Sequence, residues 1–161
     1  MLLCIDIGNT NVVIGLFSED RIFRSFRVAT DSKATKDQYA LLLCGLMRMA
    51  KVEPVLITGA CICSVVPPLT DVFERLVADY FNAKAVVVQC GTKTGIVIDY
   101  HTPKDVGADR IVNAVAVHER YKNSDVIVVD FGTATTLDGV TADGRYLGGV
   151  IVPGINISLE A

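Results

Sequence analysis

The sequence predicts an α/β fold of mixed sheets with flanking helices, built from a duplicated domain whose second copy is truncated. Three observations predict it. Apolar runs of strand length alternate with segments of helical periodicity. An apolar strand ending in Asp-x-Gly occurs twice, at Asp6-Ile7-Gly8 and at Asp130-Phe131-Gly132. The second occurrence is followed by little more than a meander and the first turn of a helix before Ala161.

Leu2 to Ile7 is a short apolar run, and a second, Val12 to Phe17, follows the polar Gly8-Asn9-Thr10 segment, which makes a β-hairpin. Ile22 to Val28 alternates and extends the meander to a third strand. Lys36 to Ala50 carries Tyr39, Leu42, Leu43, Leu46 and Met47 at helical spacing, with Asp37 in its first turn. Val55 to Val66 is a long apolar stretch expected as a strand and broken by Pro67-Pro68. Leu69 to Phe81 is again amphipathic. Ala85 to Val88 supplies a strand, Gly91 to Gly95 a loop, Ile96 to Ile98 a short strand, and Val106 to Tyr121 a helix.

At Asp125 to Asp130 the pattern starts over. Adding 124 carries Asp6 to Asp130, Gly8 to Gly132, Gly15 to Gly139 and Arg21 to Arg145. Four identities are few, but both copies run strand, Asp-x-Gly, small polar residues, second strand and polar turn. The expected division is therefore a first domain over residues 1–115 and the start of a second over 116–161, with the chain a fragment of a longer protein.

Composition narrows the function. The chain is 161 residues long, 51 % hydrophobic, with a net charge of -3, so it has side chain for a core and no bias toward polyanions; nucleic acid is not an expected partner. Met1 to Ile5 lacks a basic region and meets Asp6 at once, too soon for a signal peptide or a membrane span, which points to a cytoplasmic protein without a membrane partner. The five cysteines lie in apolar segments and are expected to be free thiols; Cys61 and Cys63 share a strand face but have no histidine near in sequence to complete a metal site.

Two segments can carry chemistry. In Asp6-Ile7-Gly8-Asn9-Thr10-Asn11 an aspartate closes a strand and a glycine permits close backbone approach. Its N–H groups and polar side chains can cradle phosphate, with Asp6 holding Mg²⁺. Alone, this is equally a hairpin turn that needs Gly and Asn; with the copy at Asp130, two such hairpins across a cleft would clamp a polyphosphate. In Gly107-Ala108-Asp109-Arg110 at a helix start, Asp109 and Arg110 are either a cap and a surface pair, or a base for a substrate hydroxyl beside an anchor for a substrate anion. No G-x-x-x-x-G-K-[ST] or G-x-G-x-x-G occurs, so a P-loop and a dinucleotide-binding unit are disfavoured. Lys93, His101 and His118 enter no mechanism.

Taken together and in this order, Asp6-Ile7-Gly8-Asn9-Thr10, Tyr100 with Gly107-Ala108-Asp109-Arg110, Asp130-Phe131-Gly132-Thr133-Ala134, and Gly148-Gly149-Val150-Ile151-Val152-Pro153-Gly154 resemble the signatures of type III pantothenate kinases. The resemblance implies an actin-like ATPase (ribonuclease H-like) fold and ATP-dependent phosphorylation of pantothenate in a homodimer. By position it implies that Asp6, Ile7, Gly8, Asn9, Thr10, Asn11, Val12, Val13 and Thr133 contact ATP. Tyr100, Gly107, Ala108, Asp109 and Arg110 would bind pantothenate, with Asp109 as catalytic base, and Asp130 would hold a monovalent cation, K⁺ or NH₄⁺. The alternatives are a kinase for another small hydroxyl acceptor and a non-catalytic regulator of the same fold.

Overall fold

A computed structural model describes residues 1–160, which fall into two compact units divided between Val88 and Gln89. In the first unit, β1 (Leu2–Ile7), β2 (Asn11–Ser18) and β3 (Arg21–Ala29) form an antiparallel meander. Then come α1 (Lys36–Met49), β4 (Gly59–Ser64), α2 (Pro67–Phe81) and β5 (Ala85–Val87). The sheet order is β3-β2-β1-β4-β5, with β4 parallel to β1 and β5 parallel to β4. Alternation along β1 and β2 sends Leu3, Ile5, Ile7, Val12, Ile14 and Leu16 to one face, where they meet Tyr39, Leu43 and Met47 of α1 and Leu69, Phe73 and Leu76 of α2.

The helix starts follow local chemistry. Thr35 and Gln38 close a reciprocal capping box at the head of α1. The stretch before β4 is not one strand: Pro54–Leu56 is a 3₁₀ turn, and regular pairing begins at Gly59. Pro67 and Pro68 do not stand outside the following helix but open it, because a first-turn proline lacks only an N–H that would be unpaired anyway. Asn82 ends α2 in the left-handed conformation at φ 48°.

The second unit contains β6 (Val97–Ile98), α3 (Ala108–Arg120), β7 (Val126–Phe131), β8 (Ala134–Val140), β9 (Arg145–Pro153) and α4 (Ile155–Glu160). Its sheet order is β6-β9-β8-β7, so Val97–Ile98 joins this sheet, parallel to β9. Helix α3 packs against β7 and β8 with Ala108, Ile111 and Ala114 buried. The expected boundary at 115/116 falls inside α3, all of which lies in the second compact unit with the sheet it covers.

The duplication is visible in the strands. Adding 124 to β1 and to β3 gives the limits of β7 and β9. The middle strand has slipped by one. Asp6 faces Val13 while Asp130 faces Thr136, and the register shift after Leu16 recurs after Gly139, both at an offset of 123. Asp6/Asp130, Gly8/Gly132 and Arg21/Arg145 therefore keep equivalent positions, but Gly15 does not match Gly139. Gly15 pairs with Cys4, whose counterpart Val128 pairs with Asp138. The copies also differ in cover: Leu3, Ile5 and Ile7 are 0–2 % exposed, whereas their counterparts Ile127, Val129 and Phe131 are 73, 45 and 71 % exposed. Among the described residues, no helix is long and apolar enough to cross a membrane.

Candidate active site

The turn between β1 and β2 is drawn tight by its backbone. The Gly8 N–H donates to the Asn11 carbonyl at 3.0 Å, the Thr30 hydroxyl donates to the Gly8 carbonyl at 2.6 Å, and the Thr30 N–H donates to the Thr10 carbonyl at 3.0 Å. These bonds hold the exposed Asn9 and Thr10 at the tip, with Asp6 exposed at the strand end. Ile7 and Val12, expected to contact ATP, send their side chains into the core at 0 % exposure; only their backbone groups remain for a ligand. Asn11 and Val13 are half-buried on the flank.

The matching turn in the second unit repeats the first bond, Gly132 N–H to the Ala134 carbonyl at 3.0 Å. Thr133 lies exposed at its tip. Asp130 accepts from Nδ2 of Asn113 on α3 at 3.1 Å. Because Asn113 is four residues beyond Asp109, it shares that residue's helix face, which ties Asp109 and Asp130 to one side of α3.

Helix α3 begins at Gly107, which caps it in an extended backbone conformation without a side-chain bond. Asp109, half-buried in the first turn, accepts the Arg110 N–H through Oδ1 at 2.8 Å, which orients its carboxylate. Arg110 is no surface partner of Asp109. It turns inward to Asp138 on β8: Nε donates to Oδ1 at 2.7 Å, and Nη2 lies 2.5 Å from the same oxygen. The Tyr146 hydroxyl donates to that oxygen too, at 2.6 Å. Asp138 and Tyr146 are each 1 % exposed. Burial works against the guanidinium charge, but the hydrogen bond and the charge of Asp138 outweigh it and push the Arg110 pKa up. Burial, with the bond to Asp138, likewise pushes the Tyr146 phenol well above its ordinary value.

Parallel pairing of β6 with β9 and an Arg145–Asp99 bridge at 2.8 Å carry Tyr100 to the same place. Its ring lies so close to Gly148 that a Cβ there would stand 2.7 Å from Cδ2. A Cβ on Gly149 would stand 2.7 Å from both Arg110 Nη2 and Asp138 Oδ1. Gly148 and Gly149 are thus the floor on which the two predicted substrate contacts lie. Sequence reasoning singled out Tyr100, Asp109 and Arg110 but missed Asn113, Asp138 and Tyr146. A lone aspartate in the apolar strand Leu137-Asp138-Gly139-Val140 was the available signal, since a buried carboxylate needs a partner.

A family model described as type III pantothenate kinase matches residues 2–161. The chain belongs to that family. It is 52 % identical over all of its length to a type III pantothenate kinase of Geobacter sulfurreducens and 48 % identical to one of Myxococcus xanthus. It spans 63 % and 62 % of those two proteins. The four segments on which the sequence resemblance rests lie at the two turns, at the head of α3 with Tyr100, and at the glycine floor. Solved structures bear on the fold alone. A reductive activator for corrinoid, iron-sulfur protein matches 88 % of this chain and 29 % of its own at TM-score 0.58 and 13 % identity. An Aquifex aeolicus Ppx/GppA phosphatase matches 99 % of this chain and 54 % of its own at TM-score 0.54 and 16 % identity. The fold is that of the actin-like ATPases.

Proposed function

We propose that the full-length protein is a pantothenate kinase, moving the γ-phosphate of ATP to the primary hydroxyl of pantothenate to give 4'-phosphopantothenate. The observation that carries this reading is the gathering of Tyr100, Asp109 and Arg110 about the head of α3 and the Gly148-Gly149 floor, in a chain about half identical to pantothenate kinases. Asp109 takes the hydroxyl proton as the oxygen bonds to the γ-phosphorus; the bond from that phosphorus to the bridging oxygen breaks, and ADP leaves with its electron pair. Arg110 meets the substrate carboxylate and Tyr100 packs along the substrate. The ATP contacts that the resemblance implies are Gly8 to Asn11 with the backbone of Ile7, Val12 and Val13, and, separately, Thr133.

The donor set fits loosely held cations. Among the described residues, no three or more His, Cys, Asp or Glu side chains cluster to cage a metal. Single carboxylates at strand ends suit ions that take their remaining ligands from water and phosphate: Mg²⁺ at Asp6 and K⁺ or NH₄⁺ at Asp130. These ions would neutralise charge on the phosphates. A cytoplasmic homodimer belongs to the same reading, as does a division of the duplicated fold at 115/116.

Asp109→Asn tests the base. In the full-length protein it should lower kcat by roughly 10²–10⁴ with an unchanged circular dichroism spectrum. Turnover within a few-fold of wild type would remove Asp109 from the mechanism.

A further inference from the structure

We infer that Asp138, assisted by Tyr146, is a positioning residue for Arg110. It grips the guanidinium by its Nε and Nη2 side, so that the Nη1 end is presented to the carboxylate of the substrate. This deepens the proposed function and rests on it.

All three groups converge on one atom. Asp138 Oδ1 accepts from Arg110 Nε at 2.7 Å and from the Tyr146 hydroxyl at 2.6 Å, with Arg110 Nη2 at 2.5 Å. The Arg110 guanidinium carbon also stands 5.8 Å from the centre of the Tyr146 ring. The hydroxyl fixes the carboxylate, and the carboxylate fixes the arginine.

A plain staple between α3 and β8 does not account for this arrangement. A buried ion pair gains little stability over apolar side chains of the same volume, because desolvation cancels the attraction. The pairing is also unfinished: Asp138 Oδ2 is buried without a hydrogen bond, an energetic cost a staple has no reason to carry. An anion anchor has different needs. A free arginine samples many rotamers, and holding one pose before the substrate arrives removes that entropic cost from binding. Gly149 belongs to the device, since any Cβ there would press on Nη2 and Oδ1 together. Asp109 precedes Arg110 in the same helical turn, so a fixed Arg110 also sets where the substrate hydroxyl falls relative to the base.

The test is steady-state kinetics of the full-length protein with Asp138→Asn, Tyr146→Phe, Arg110→Ala and the Arg110→Ala/Asp138→Asn double variant. Asp138→Asn should raise KM for pantothenate about tenfold or more and leave KM for ATP within about twofold. Tyr146→Phe, which removes one hydroxyl, should move the same constant in the same direction by less, and it serves alone if Asp138→Asn does not fold. In the Arg110→Ala background, Asp138→Asn should add nothing to KM, since the residue it positions is gone. A fall in thermal stability with KM for pantothenate unchanged, or an effect of Asp138→Asn that adds fully to that of Arg110→Ala, would overturn the inference. The wild-type control separates the two readings. No pantothenate turnover in wild type sinks the proposed function and this inference with it; normal wild-type turnover with an unaltered KM in the variants sinks the inference alone.

Discussion

Gly149→Ala is the substitution whose effect follows most directly from the coordinates. The added Cβ would fall inside the van der Waals surface of the Leu137 carbonyl oxygen and 2.7 Å from both Arg110 Nη2 and Asp138 Oδ1. The first neighbour is backbone of the adjacent strand and cannot rotate away, so β8 and β9 must part locally. Overpacking of this kind costs about 1–3 kcal/mol, and a clash with backbone belongs at the upper end. At about 3 kcal/mol the melting temperature should fall by roughly 6–12 °C for a protein of this size class. Gly139→Ala is the control, one strand away. Its Cβ would find its nearest neighbours at 3.9 Å, an ordinary contact, and the change should stay within about 0.5 kcal/mol. Thermal denaturation of the full-length protein reads both. If Gly149→Ala melts within about 1 °C of wild type, the close approach of β9 to β8, and the glycine floor with it, is wrong.

Two further predictions concern other parts of the molecule. Burial, and then the neighbouring Cys61, push the Cys4 thiol up from 9.0 to about 11, and burial raises Cys44 and Cys61 as well. Between about pH 9 and pH 11 the folded chain keeps protons that the unfolded chain has released, so stability should fall as pH rises through that window. The urea midpoint followed from pH 8 to pH 11 should show a shallower decline in Cys4→Ser than in wild type; identical declines would refute the assignment. The exposed row Ile127, Val129 and Phe131 should make the 161-residue chain bind the dye ANS, and Ile127→Lys with Phe131→Lys should remove most of that binding. Undiminished fluorescence in the double variant would place the apolar surface elsewhere.

The strands of the duplicated meander were legible because alternation and an Asp-x-Gly ending are local signals. β1, β3, β7 and β9 fall where the 124-residue offset puts them. The one-residue slip of β8 was not legible. It arises where the turn after Gly132 closes on Ala134, one position sooner than the Gly8 turn closes on Asn11, and nothing in residue identity marks it. For that reason the Gly15–Gly139 identity misled. Pro67 and Pro68 read as a break because a proline pair interrupts an apolar stretch as readily as it opens a helix. At the site, Asp109 and Arg110 were readable as neighbours at a helix start. That Arg110 turns away from Asp109 depends on Asp138, 28 residues later, and so on a sheet register that spacing does not reveal. The core-facing side chains of Ile7 and Val12 show the converse: a motif names its residues without saying whether side chain or backbone meets the ligand.

The most direct test is a coupled assay of ADP release by the full-length protein with ATP and pantothenate, run in K⁺ and again in Na⁺. Pantothenate-dependent turnover that requires K⁺ is the predicted result, and it would support the substrate and the cation at Asp130 together. Absence of pantothenate-dependent turnover in both salts would contradict the account.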